Sequence, residues 1–207
     1  YTAVEYALLA SIAFSTVIPA VLTTAELVRS CGWQPLRRLP GMRQTPARLV
    51  ACHLAGWAMV AAIVLWPSAA FPLVWLSVIF VLDPVVTWLG GRSIGWFVER
   101  GDWSPVVNLA LAALVCGWFW EMWNYYALPK WTYAVPHADW LHVWEMPLLG
   151  YGGYLPFGVE VYVCYELLRT TLRWFRLPAP VVGDRPRLEP GGINNPLACH
   201  PEPAGSG

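Results

Sequence analysis

The sequence predicts an all-α protein, a polytopic transmembrane helical bundle of about five spanning helices with an aromatic interfacial or re-entrant segment on its outer side. Three observations lead there. Apolar residues form 57% of the chain and charged ones 13%, with a mean hydropathy of +0.46, against about 45–50% and about 25% in soluble domains. Five apolar runs approach or exceed the roughly 20 residues that a bilayer demands, with Pro, Gly and Arg punctuating the gaps between them. The basic residues, finally, gather in alternate gaps, as the positive-inside rule requires of a serpentine chain.

Residues 2–28 are the first run, with Glu5 and Glu26 near its ends. Arg29, Arg37, Arg38 and Arg43 follow among Gly32, Pro35, Pro40 and Gly41, the composition of a broken basic loop. The second span covers 49–66 and stops at Pro67-Ser68; the third covers 71–89 and stops at Gly90-Gly91. So short a turn makes these two helices antiparallel neighbours. Pro84 removes an N–H and frees the carbonyl of Phe80, which predicts a kink. Residues 92–103 read as a second polar connection, and Ser104-Pro105 as the N-cap and first position of a fourth span over 105–127. Residues 131–153 are dense in aromatics but interrupted by Pro136, Pro147, Gly150, Gly152 and Gly153. Irregular backbone of that kind is tolerated at membrane depth only when packed against protein. Pro156 opens a fifth span over 156–171, and the Pro/Gly-rich stretch from 177 to 207 has no core of its own.

With five spans, twelve arginines fall on one side and Lys130 alone on the other. The expected topology puts the N-terminus outside and the tail in the cytoplasm. Trp118, Trp120, Trp123, Trp131, Trp140 and Trp144 form an outer aromatic belt, and Trp88, Trp96 and Trp103 an inner one. A net charge of zero leaves no field to gather nucleic acid. Of the five cysteines, Cys52, Cys116 and Cys164 sit in apolar runs and Cys31 and Cys199 on the reducing side, so no disulfide framework is expected. The chain opens on Tyr1 rather than Met, as expected of a processed or truncated chain, and no signal-peptide pattern is visible in it.

A carboxylate inside an apolar run costs at least ~2.5 kcal/mol on insertion scales, which makes Glu121, in Trp118-Phe119-Trp120-Glu121-Met122-Trp123-Asn124, the leading suspect residue. Gly117, Glu121 and Asn124 share one helix face. Counted from Pro105 and from Pro156, Glu121 and Glu160 fall at similar depth and are expected to be neighbours, unable to ionise together. His142 and Glu145 lie just outside this depth. The five residues Glu121, Asn124, His142, Glu145 and Glu160 form either an outer-leaflet pocket for a proton, cation or polar headgroup, or a hydrogen-bond network tying 131–153 to the fourth and fifth spans. The network reading leads, because polar residues between membrane helices commonly act as glue. Nearer the inner edge, His53 and Asp83 are expected to pair; His53 is also a candidate ligand for haem or another pigment. Glu166, Arg169 and Arg173 read as snorkelling charges with an i, i+3 pair near the inner surface. No tight metal-ligand motif, phosphate loop, nucleophile elbow or CxxC is present.

Trp120-Glu121-Met122-Trp123-Asn124, Leu128-Pro129-Lys130-Trp131, and Glu145-Met146-Pro147-Leu148-Leu149-Gly150-Tyr151 followed by Pro156-Phe157 and Glu160 resemble a family of bacterial multi-span membrane proteins. The resemblance runs from about Leu82 to Leu168, and it implies a membrane bundle without bringing an activity. The sequence therefore points first to a non-catalytic accessory or structural subunit of a larger membrane complex, in contact with lipid and with its tail docked on a protein partner. The alternatives are an intramembrane acid/base enzyme or carrier for a lipid or isoprenoid through Glu121 and Glu160, and pigment or haem binding through His53.

Overall fold

The computed structural model describes residues 2–32, 36–133 and 140–178. The expected docking tail, with Cys199, Arg185 and Arg187, falls outside them apart from its first two residues, as does Pro136. Eight α-helices make up most of the described chain. α1 (Ala3–Ser15) and α2 (Val17–Ser30) are one apolar stretch interrupted at Thr16. A capping box between Thr2 and Glu5 starts it. Thr45 caps α3 (Pro46–Leu65) by accepting from the Arg48 N–H at 3.3 Å, with Pro46 in the first turn. Trp66 (φ −135°, ψ 62°) breaks the chain there, and Pro67 opens α4 (Pro67–Ala70), which leads through a 3-10 turn at Phe71–Leu73 into α5 (Val74–Trp88). α5 runs through Pro84 as a single helix. α6 (Ile94–Glu99), α7 (Ser104–Tyr126) and α8 (Tyr154–Trp174) complete the set.

Among the described residues, four stretches are long and apolar enough to cross a membrane: Ala3–Ser30, Pro46–Leu65, Pro67–Trp88 and Ser104–Tyr126. α8, the expected fifth span, is long enough but carries Glu160, Glu166, Arg169 and Arg173. It packs against α2, α5 and α7, so most of its length faces protein. The burial pattern is that of a bilayer protein. Val4, Ile12, Phe14, Val64 and Leu65 are more than 60% exposed, whereas Glu121 and Glu166 are the two largest wholly buried side chains among the described residues. In water that arrangement would be unstable; in hydrocarbon the apolar exterior carries no penalty and polar groups seek one another.

Two glycines set the closest crossings. A Cβ on Gly158 of α8 would lie 2.1 Å from the Leu109 carbonyl oxygen and 2.9 Å from the Ala113 Cβ, so backbone meets backbone between α7 and α8. Gly56 of α3 does the same against Val81 and Phe80 of α5. The Gly117–Tyr154 and Ala113–Gly158 contacts give α7 and α8 an antiparallel register.

Both basic connections lie at one end and pair with each other: Leu39 N–H donates to Gly101 O (3.1 Å), Met42 N–H to Val98 O (3.1 Å) and Trp103 N–H to Leu36 O (3.2 Å). Arg100 stacks on Trp96 at 3.7 Å there, a cation–π contact. Ser104 is the first residue of α7 rather than its cap, and the Asp102 carboxylate accepts its N–H at 3.1 Å. A two-residue antiparallel hairpin, His142–Val143 with Met146–Pro147, interrupts the otherwise helical architecture near the opposite end.

Candidate functional site

Glu121 projects from α7 into the interface with α8 and the segment that precedes it. Its Oε1 accepts from the Tyr133 hydroxyl at 2.5 Å and from the Tyr154 hydroxyl at 2.7 Å. Tyr133 in turn accepts from the Trp131 indole N–H at 2.6 Å. Gly117, one turn below Glu121, lets Tyr154 approach, since a Cβ there would sit 2.5 Å from the ring. One turn above, Asn124 makes a two-way amide clasp on Trp131: its Nδ2 donates to the Trp131 carbonyl at 2.8 Å, and its Oδ1 accepts the Trp131 N–H at 2.9 Å. Glu121 and Asn124 are 0% and 2% exposed. A single face of α7 thus holds down the incoming strand of chain and the first turn of α8.

Aromatic rings wall this cluster. Trp118 meets Trp144 edge-on (centroids 5.9 Å apart) and Tyr151 (6.2 Å), and Tyr151 and Tyr154 lie 6.1 Å apart. Burial, and then the hydrogen bond to Glu121, hold the Tyr133 phenol well above its ordinary pKa. Burial and the Glu121 charge push Tyr151 up to about 12. Because its folded pKa is raised, Tyr151 contributes stability that is intact below about pH 10 and is lost as pH rises toward 12. Near-ultraviolet circular dichroism in detergent is therefore expected to lose aromatic signal in that window, and Tyr151→Phe to remove part of the change.

The structure does not bring Glu160 to Glu121. The register of α7 against α8 sets Glu160 about ten residues, or about 15 Å, further along α7. α8 begins well below the top of α7, because the 3-10 turn Leu148–Gly153 and the hairpin come down beside Trp118 before the helix starts. Glu160 Oε2 is buried without a hydrogen-bond partner among the described residues, as are Asn108 Oδ1 and Glu121 Oε2. Glu145 is held near the hairpin by an ion pair with Lys130, and His142 is exposed in the hairpin. Among the described residues no group of three or more His, Cys, Asp or Glu is placed to hold a metal.

No family model matches this chain, and neither a curated protein nor a solved structure does.

His53 and Asp83, expected to pair, take different partners. The close crossing at Gly56 puts His53 against α5, where Nδ1 lies 2.9 Å from the Val81 carbonyl and Nε2 accepts from the Trp57 indole at 3.1 Å. A proton on Nδ1 satisfies both bonds, and an iron or magnesium ligand would have to displace Trp57. Asp83 turns instead to α6 and accepts from the Ile94 N–H (2.6 Å) and the Gly95 N–H (3.0 Å), while Ser93 accepts from Trp96 N–H at 3.0 Å. It is a helix cap supplied by another helix. Asp83→Ala is expected to cost about 1–2 kcal/mol, with Asp83→Asn retaining part of it, by detergent denaturation midpoints.

Glu166 and Arg169 form the expected i, i+3 pair at 2.7 and 2.8 Å, but buried at 2% and 5% exposure rather than snorkelling. Glu166 also accepts the Arg92 N–H at 2.9 Å, which fastens the loop after α5 to α8.

Tyr133, Tyr151 and Tyr154 escaped the sequence reading, which sought carboxylate and histidine partners for Glu121. The available signal was chemical. A buried carboxylate needs donors, and tyrosine hydroxyls were the donors in the aromatic stretch laid over it.

Proposed function

We propose that this chain is an integral protein of a bacterial inner membrane, with five spans, its N-terminus outside and its C-terminus in the cytoplasm, acting as a non-catalytic accessory subunit of a larger membrane complex. The observation that carries this reading is the closure of the Glu121 cluster on itself. A general acid or base must reach a substrate. Glu121 is 0% exposed, and its hydrogen bonds run to Tyr133 and Tyr154 of its own chain. Asn124, Asp83 and Glu166 are likewise spent on backbone N–H groups and helix ends. α1, with no buried residue along Ala3–Ser15, offers an apolar flank for lipid or a neighbouring subunit. The orientation rests on the twelve arginines against Lys130. The likeness to bacterial multi-span proteins belongs to the same proposal.

One observation favours a second reading, an intramembrane acid/base enzyme or carrier acting on a lipid or isoprenoid. Glu121 keeps a buried Oε2 with no hydrogen-bond partner among the described residues, beside two tyrosine hydroxyls. A carboxyl flanked by phenols can pass a proton.

Purification of the chain from its native membrane in mild detergent separates the two. A partner at fixed stoichiometry, retained by Glu121→Gln, is the expected result. A chain that purifies alone and converts a lipid, with conversion abolished by Glu121→Gln, overturns it.

A further inference from the structure

At the arginine-bearing end of the bundle lies a cavity of about 330 Å³ between the loop after α5 and the last turns of α8. Leu89, Gly90, Gly91 and Arg92 form one wall; Glu166, Arg169, Thr170, Arg173 and Trp174 form the other. Its charged residues are Arg92, Arg169, Arg173 and Glu166.

The cavity is built rather than incidental. Gly90 sits at φ +78°, a conformation that other residues rarely adopt, and turns the chain sharply at the end of α5. Gly91 then lies so close to α8 that a Cβ would fall 2.4 Å from the Thr170 Oγ1. The Glu166 carboxylate clamps the loop through the Arg92 N–H and holds the Arg169 guanidinium through two bonds at 2.7 and 2.8 Å. The Tyr162 hydroxyl donates to the Arg92 carbonyl at 2.7 Å and fastens the loop a second time. Both walls are thereby fixed before any ligand arrives, with Arg92 and Arg173 lining the cavity beside the buried Glu166–Arg169 pair.

Guanidinium groups match phosphate oxygens two at a time, and a basic pocket between membrane helices at the cytoplasmic face suits an anionic headgroup. The rim decides between a lipid and a free anion. Trp88, Trp174, Phe175 and Leu177 stand 49–70% exposed beside the cavity or just beyond it in the chain, an apolar margin for acyl chains that a free phosphate would not use.

We infer that the cavity between the α5–α6 loop and the end of α8 binds the phosphate of an anionic phospholipid headgroup. The inference rests on the membrane reading of the chain and not on the accessory-subunit reading, so a missing protein partner leaves it standing.

The test is native mass spectrometry on the detergent-solubilised full chain, titrated with phosphatidylglycerol, with phosphatidylcholine, and with inorganic phosphate. Phosphatidylglycerol should be retained in preference to phosphatidylcholine, and millimolar phosphate should not displace it. Arg173 is exposed, so Arg173→Gln tests the site with little threat to folding; each of Arg173→Gln and Arg92→Gln should weaken retention about fivefold. Arg176→Gln, the same change of charge outside the cavity, should leave retention unaltered. Equal retention of both lipids overturns the inference, as does unchanged phosphatidylglycerol binding in Arg173→Gln. Displacement by free phosphate overturns the lipid assignment and makes the cavity a site for a soluble anion.

Discussion

Replacing Glu121 by leucine is expected to destabilise the bundle by about 3 kcal/mol, whereas Glu121→Gln is expected to cost about 1 kcal/mol, because each buried hydroxyl left without a partner costs about 1–3 kcal/mol and an amide retains an acceptor. The leucine variant removes the acceptor shared by Tyr133 and Tyr154. Two half-buried phenols are then left without the acceptor they share, and the Trp131–Tyr133 contact loses its far end. Glutamine offers one carbonyl oxygen at nearly the same place and can keep at least one of the two bonds. The ratio of the two effects is the informative quantity. A residue held for chemistry would lose that difference in an activity assay, where the isosteric amide is as damaging as leucine. Denaturation midpoints in mixed detergent micelles, monitored by tryptophan fluorescence, give both numbers.

Gly158→Val is expected to be at least as damaging, about 3 kcal/mol or more, at the upper end of what overpacking costs. A Cβ there would lie 2.1 Å from the Leu109 oxygen and 2.6 Å from its carbonyl carbon, so the obstacle is backbone rather than a rotatable side chain. α8 must move away from α7, and that displacement draws Tyr154 off Glu121. The expected signature is a lower midpoint together with loss of near-ultraviolet ellipticity from the Trp118, Tyr151 and Tyr154 cluster. Gly152→Val is the control, since that position is open with no neighbour within 4 Å, and it should change neither.

The helix ends were legible because the punctuation is local. Pro67-Ser68, Gly90-Gly91 and Ser104-Pro105 act within a residue or two, and the helix ends fall within four residues of where the sequence places them. The interest of Glu121 and Asn124 was legible too, from the cost of a carboxylate in an apolar run. Depth was not. Taking Pro156 as the outer edge assumes that α8 starts level with the top of α7. The hairpin and 3-10 turn instead descend beside Trp118, and Glu160 is carried about 15 Å away from Glu121. α6 was missed because six residues show no readable period. With α6 unseen, Asp83 had no helix to cap and was assigned to His53 by depth alone. Glu166 and Arg169 were read as solvated because long charged side chains near a span end usually are. Their burial depends on the α5–α6 loop folding over them, a contact 74 residues away in sequence.

Glu121 and Asn124 act as a latch that holds the chain after α7 against the bundle. Amide hydrogen exchange at the Trp131 N–H tests this most directly, because that group donates to the Asn124 side chain and not to the backbone of a helix or strand. Slow exchange is expected in the native protein and in Glu121→Gln, and exchange near the rate of an open loop in Asn124→Ala. Fast exchange at Trp131 in the native protein would contradict it.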